Sequence, residues 1–232
     1  MSIANWQRFC SSPWPCAVGH RVVHGGYKLT HPELIDERII SLIEDASELA
    51  PLENPYNLTG IRVARRVLPD LPQVAVFNTA FHAAMPKHAF LYALPYRLYK
   101  KFHIRRYGFH GTSHKYAAMR AARHLKKDLD KLNLISCHLG DGASVAAIKQ
   151  GRSIDTSMGF TPLEGLGMRT RCGDIDPAIL AYLAKKGHDI GELKRICNEE
   201  SGLLGISGVS NDMGELIRIA AEGHGEEQKR CQ

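Results

Sequence analysis

The stretch NLISCHLGDGASVAAIKQGRSIDTS, residues 133–157, leaves a chain few choices. Three strand-length runs, 133–138, 143–149 and 152–157, are separated only by LGDG and by Gln150–Gly151. Joins this short, built on glycine, are hairpin connections, so the region is expected to form an antiparallel meander bent at a glycine-rich corner. A second run, 73–77, reads as a buried strand that turns polar at Asn78 and Thr79. A polar side chain at the carboxyl tip of a buried strand is where α/β proteins often bind ligands.

Helical signals alternate with these strands. Residues 18–26 read as a strand ending in a glycine turn. Between 32 and 49, Leu34, Ile35, Ile39, Leu42, Ile43, Ala46 and Leu49 recur at helical spacing, with Pro32 suited to a first turn. A more basic helix is expected over 57–68, and a proline- and tyrosine-rich connection over 86–108. Ser113 is expected to cap a helix running to about Asp128, and Asp176–Pro177 to open one ending near Gly187. Two more are expected around 190–200 and 212–223. Mixed strand and helix means α/β or α+β, with a boundary between residues 80 and 90.

Composition narrows the class. At 232 residues, 44% hydrophobic and 23% charged, the chain is sized and balanced for one large or two modest globular domains. No apolar run approaches a membrane span, and MSIANWQRFCSSPWPC lacks the build of a secretory signal. Six scattered cysteines without a C-x-x-C pair argue against a zinc knuckle or disulfide framework and for a reducing cytoplasm. The net charge of +6 has three readings: a nucleic-acid surface, solvated helix faces, or arginines gathered around an anionic small molecule. Aromatics are not interleaved with the basic clusters, so solvated faces are preferred over nucleic acid.

Three segments could carry chemistry. In HLGDGAS, residues 138–144, two glycines let backbone N–H groups approach an anion, with His138 and Ser144 as extra donors; a plain hairpin turn is the alternative. RRYGFHGTSH, residues 105–114, places His110 beside a helix start, where it can donate to developing negative charge or simply sit in a capping loop. The H-x-x-x-H spacing of His110 and His114 lacks the glutamate of a catalytic zinc helix. In TPLEGLGMRTRCGDIDP, residues 161–177, Arg171 can clamp a carboxylate or phosphoryl group, or join a surface salt bridge. Arg21, inside the apolar VGHRVV, needs a partner, either an anionic ligand or a carboxylate of the fold.

Read in order, GHRVVHGG, LAPLENP, VAVFNTAFH, IRRYGFHGTSH, HLGDGAS, IDTSMGFTPLEGL, TRCGDIDP and SGLLGISGVSND resemble the acetate kinases, from about Val18 to about Asp212. The resemblance implies an incomplete two-domain α/β chain of the actin-like (ribonuclease H-like) ATPase fold. Residues 1–17 would be unmatched, 18–82 the remainder of the first domain and 83–232 the first part of the second. It implies transfer of the ATP γ-phosphoryl to acetate with Mg²⁺, in a cytoplasmic homodimer, with no nucleic-acid or membrane partner. Carried over by position, Asn78, His110 and Arg171 would be catalytic. Arg21, Val23, Leu52, Phe109 and Pro162 would hold the carboxylate substrate. His138, Leu139, Gly140, Asp141 and Gly142 would cradle the ATP phosphates, with Asp212, Met213 and Gly214 toward the nucleoside.

The departures are specific. Asn78 stands where the family has its catalytic aspartate, and an amide keeps the shape but loses the charge. Asp141 stands for asparagine, placing a negative charge at the phosphate corner. Glu53 stands for histidine, Arg169 for glycine, and Gly214 for the arginine of an Asp-x-Arg stretch. The opening phosphate loop, the glycine-rich adenosine loop and a late metal-binding glutamate are not found in these residues, so the resemblance implies truncation at both ends and no metal ligands. The alternatives are therefore an impaired acetate kinase fragment, or a propionate kinase.

Overall fold

The computed structural model describes residues 15–222 and 225–231, so most of the unmatched opening segment lies outside the described residues. The chain divides into two compact units, one ending at Ala84 and one beginning at Met85.

The first unit opens with β1 (Val18–Val22), followed by β2 (Glu33–Leu34), α1 (Glu37–Ala46), α2 (Asn54–Val67) and β3 (Gln73–Phe77). The sheet order is β1-β3-β2, with β1 parallel to β3 and β2 antiparallel to it. Helical periodicity puts Ile39, Ile40, Ile43 and Ala46 on the buried face of α1. There the three isoleucines meet Val22, Leu29, Leu58, Ile61, Ala75 and Phe77 in one core. Each fully buried side chain of this kind stabilises the fold by about 1.5–3 kcal/mol.

The helix expected from Pro32 begins instead at Glu37. Glu33 and Leu34 pair with Ala75 and Val74, and the Asp36 carboxylate accepts from Ile39 N at 2.7 Å, a stronger start than a proline's fixed φ. The second helix starts at Asn54, three residues earlier than expected, because Pro55 fits its first turn.

The second unit carries α3 (Lys87–Phe90), α4 (Tyr96–Phe102), α5 (Gly111–His124), β4 (Asn133–Leu139), β5 (Ala143–Lys149) and β6 (Arg152–Thr156). Then come α6 (Pro177–Lys185), α7 (Ile190–Glu199), α8 (Gly202–Ser207), α9 (Met213–Glu222) and α10 (Gly225–Cys231). The meander is as expected, an antiparallel sheet ordered β4-β5-β6. Gln150 and Gly151 both have positive φ, 52° and 76°, matching a two-residue hairpin to the strand twist. The Asp176 side chain caps α6 by accepting from Ala178 N at 2.8 Å.

Two expectations fail here, and one helix was not anticipated. Residues 86–108 are not a plain connection but hold α3 and α4. Ser113 does not cap α5; the helix begins at Gly111 behind His110, whose backbone is left-handed at φ 56°, and ends at His124. The six-residue α8 is too short to show a period, and it opens at Gly202 with φ +62°, where a Cβ would lie 2.0 Å from the Met168 carbonyl.

Candidate active site

In the first unit, parallel pairing of β1 with β3 brings Arg21 and Asn78 together. Val22 pairs with Phe77, and Asn78 N extends the ladder by donating to Val22 O at 2.9 Å. Arg21 Nε donates to Asn78 Oδ1 at 2.9 Å. Of the two partners open to Arg21, an anionic ligand or a carboxylate of the fold, the fold supplies no carboxylate: the partner is an amide, and no ion pair involves Arg21 among the described residues. Asn78 is buried while Arg21 reaches solvent.

The chain after β1 is held by side-chain amides. Asn57 Oδ1 accepts from Val23 N at 3.0 Å, and Asn54 brackets His24 by accepting from its N–H and donating to its carbonyl. Burial lowers the His24 pKa to about 4. Val23 is half-buried beside this support, whereas Leu52 lies exposed in the turn before α2.

In the second unit, the turn from β4 to β5 closes on itself, with Gly140 N donating to Gly142 O at 3.1 Å. That N–H is therefore engaged within the corner. Gly142 is the point of convergence: a Cβ there would lie 3.2 Å from Arg171 Nη1 and 3.2 Å from His110 Cε1. A Cβ there would crowd both side chains, and glycine leaves the space between them open. Arg171 is steadied by the Pro162 carbonyl at 3.4 Å and the Met168 sulfur at 3.6 Å. Phe109 is fully buried and Pro162 half-buried.

Behind His110 lies a network of histidines and serines. His110 Nδ1 and His114 Nε2 both meet Ser144 Oγ at 2.8 Å, and His114 Nδ1 meets Ser136 Oγ at 3.0 Å. His138 stacks on His110 with ring centroids 4.0 Å apart and bonds Ser113 Oγ at 2.8 Å. His114 is fully buried, and burial, helped by His138, lowers its pKa to about 4. Ser144, expected to be an extra phosphate donor, is instead fully buried between two imidazoles. His110, at the cap of α5, and His114, in its first turn, are four residues apart, and Ser136 and Ser144 occupy inward positions of β4 and β5. A serine at an inward strand position is the signal that could have found this set from sequence.

Asp141, whose charge was expected to face the phosphate corner alone, has a partner. Arg169 Nη1 donates to Asp141 Oδ1 at 2.5 Å, and the same guanidinium donates to Asn211 Oδ1 at 2.6 Å and Asn211 O at 3.0 Å. The carboxylate raises the Arg169 pKa further. These residues rim a cavity of about 590 Å³ that also includes Leu139, Gly140, Asp212 and Met213, bringing the corner and the expected nucleoside end to one space. Asp212 also caps the start of α9, accepting from Glu215 N at 3.0 Å. Gly214 lies within that helix.

A cluster the sequence reading missed pins the 157–165 segment. Arg106 donates to the carbonyls of Thr156, Ser157 and Met158 and to Glu164 Oε1 at 2.6 Å, while Tyr92 OH donates to the other Glu164 oxygen. Among the described residues, no group of three or more His, Cys, Asp or Glu side chains could hold a metal ion. No described helix is long and apolar enough to cross a membrane.

The acetokinase family pattern matches residues 15–231. The acetate kinase of Halothermothrix orenii is 59% identical over 209 residues, covering 90% of this chain and 52% of that protein. A crystal structure of Porphyromonas gingivalis acetate kinase superposes with a TM-score of 0.87 at 46% identity, covering 93% of this chain and 53% of the other. A propionate kinase from Francisella tularensis gives the same TM-score at 48% identity, covering 93% and 56%. The chain thus spans about half the length of the relatives it matches. Its two sheets and their helices correspond to part of an actin-like ATPase fold. With the family pattern covering nearly every described residue, the chain belongs to the acetokinase family.

Proposed function

We propose that this chain contributes to phosphoryl transfer between ATP and acetate, giving acetyl phosphate and ADP. One observation carries the reading: Arg171 and His110 converge on Gly142, where a Cβ would come within 3.2 Å of each. Phosphoryl transfer needs little covalent help from the protein, and most of the catalysis is positioning and charge stabilisation. An arginine fork and an imidazole N–H meeting at a bare glycine supply both for an anion in flight.

In this reading an acetate oxygen bonds to the γ-phosphorus while the bond to the β–γ bridging oxygen breaks, and that oxygen leaves with ADP. Arg21 pairs with the carboxylate, and Val23, Leu52, Phe109 and Pro162 are assigned to the methyl group. Arg171 and His110 neutralise the moving phosphoryl. The corner 138–142 and the cavity beside it, with Asp212, Met213 and Gly214, are assigned to the nucleotide; the glycines there and the Asp141–Arg169 pairing suit a polyphosphate. The donor set suits ATP but supplies no cluster for Mg²⁺ among the described residues, so these side chains are assigned no metal-dependent step. Asn78, as an amide, orients Arg21 but cannot act as a base at neutral pH. A cytoplasmic homodimer is part of the proposal.

The similarity to a propionate kinase supports a second substrate, one methylene longer. A hydrophobic pocket discriminates such a pair only about 10–200-fold. The test is purified protein with ATP, Mg²⁺, hydroxylamine and either acetate or propionate. Acyl hydroxamate above blank supports the reading, and its absence in both wild type and Asn78→Asp overturns it.

A further inference from the structure

The histidine–serine network has a direction. Ser144 has one hydroxyl hydrogen, yet its oxygen meets ring nitrogens of two histidines, His110 and His114. If it accepted from both, its own buried hydrogen would be left with neither ring as acceptor, so it donates to one and accepts from the other, and a neutral imidazole carries one N–H. With the Ser144 hydrogen used, two orderings of neutral rings remain. In the first, Ser136 O–H donates to His114 Nδ1, His114 Nε2–H donates to Ser144 Oγ, and Ser144 O–H donates to His110 Nδ1. The hydrogen of His110 then sits on Nε2. In the second, every bond reverses, and His110 Nε2 is left as an acceptor.

Ser136 decides between them. It is buried, and among the described residues its hydroxyl bonds His114 alone. The second ordering would leave the Ser136 hydrogen buried without an acceptor, which is unfavourable, whereas the first uses it. Burial keeps His114 neutral near pH 7, so it cannot escape the choice by carrying both protons. The Nε2 atom of His110 lies on the Gly142 side, 3.4 Å from the point a Cβ would occupy.

We propose that Ser136, His114 and Ser144 form a proton-ordered relay that holds His110 as the Nε2–H tautomer, ready to donate to a phosphoryl oxygen at Gly142. The assignment of the phosphoryl to this point rests on the function proposed above; the ordering of the relay does not. The three are positioning residues, acting on the ligand only through His110. An accepting nitrogen at that point would repel phosphoryl oxygens, so the relay selects the tautomer that the transfer requires.

The experiment is nitrogen–proton correlation NMR of the full chain labelled with ¹⁵N-histidine at pH 7, with His110→Gln and His114→Gln to assign signals. Nε2–H on both His110 and His114 is the expected result, and Nδ1–H on His110 overturns the proposal. In Ser144→Ala, His110 should become a mixture of tautomers; an unchanged His110 signal in a folded variant also overturns it. The wild-type reading stands by itself if the variant fails to fold. Hydroxamate formation is scored separately: a correctly ordered relay without acyl phosphate refutes the reaction and leaves the relay intact.

Discussion

Replacing Arg106 with alanine should destabilise the second unit by several times the cost of an ordinary surface substitution. The guanidinium is about one-fifth exposed and its partner Glu164 about one-quarter, at 21% and 28%. One terminal nitrogen serves the carbonyls of Thr156, Ser157 and Met158 at 3.0–3.2 Å, and the other reaches Glu164 at 2.6 Å. Losing a charge-assisted hydrogen bond costs about 1.5–3 kcal/mol, and leaving a partly buried partner charge raises the total to about 3–5 kcal/mol. For a chain of this size that is a fall of about 6–20 °C in Tm. Lysine keeps the charge but not the planar fork, so it can serve Glu164 or the carbonyls but not both, and Arg106→Lys should lose roughly half as much. Glu164→Gln combined with each variant, in urea unfolding, isolates the pair. The reasoning is refuted if Arg106→Ala costs under about 1 kcal/mol, or if the lysine variant matches wild type. Gly159 offers an independent check, because a Cβ there would run into Glu164 and Tyr92.

Three further outcomes follow from the geometry. Asn78→Asp gives Arg21 a carboxylate at hydrogen-bond distance, which should hold the new group below about 3.9. Its stabilisation, about 1–2 kcal/mol relative to wild type, should be present at pH 7 and lost as pH falls toward 3; an identical pH dependence of urea midpoints in both proteins would sink this. His24 and His114 have folded-state pKa values near 4 against about 6.5 unfolded, so the unfolded chain binds protons first. Stability should be full above about pH 6.5 and fall toward pH 4, by up to about 3 kcal/mol for each histidine; midpoints that stay constant from pH 7 to 4.5 contradict the burial argument. At the phosphate corner, Arg169→Gly should weaken inorganic phosphate or ADP binding by exposing the Asp141 charge, and Asp141→Asn should tighten it by freeing the arginine. Calorimetry at low salt giving the reverse ranking would show that the pair does not face the ligand.

Much of the fold was legible because its signals are local. The bounds of β3 matched the apolar run at 73–77, and the meander followed from two short turns whose residues tolerate positive φ. A helix start was legible at Asp176, where aspartate and proline adjoin, missed at Asp36, where the apolar period runs on through the strand before it, and illegible at His110, which has no side-chain cap. Two residues of strand at Glu33 and Leu34 overrode the helical period running through them, because β3 had edge bonds to fill. The chemistry was legible as residue types and illegible as pairs. Arg106 and Glu164 are 58 positions apart, His114 and Ser144 are 30, and Arg169 and Asp141 are 28. Nothing in a linear pattern ties such residues together.

That distinction changes how the departures from the family should be weighed. Taken singly, an acidic residue at the phosphate corner and a bulky arginine in a glycine position both read as damage. In space they meet at 2.5 Å, and Asn211 holds the arginine from its other side. A carboxylate and a guanidinium in contact carry no net charge, so the pair presents a phosphate with far less repulsion than Asp141 alone. Asn78 has no such compensation by charge. Its amide oxygen orients Arg21, but no described carboxylate balances that guanidinium. Any anionic carboxylate that docks on Arg21 therefore meets one attractive charge without a described carboxylate competing for it, which favours binding, while the Asn78 amide supplies no base there. Binding and turnover should separate in this protein, and Asn78→Asp is the change that moves them in opposite directions: tighter folding and weaker acetate binding, with whatever catalytic gain the restored carboxylate provides.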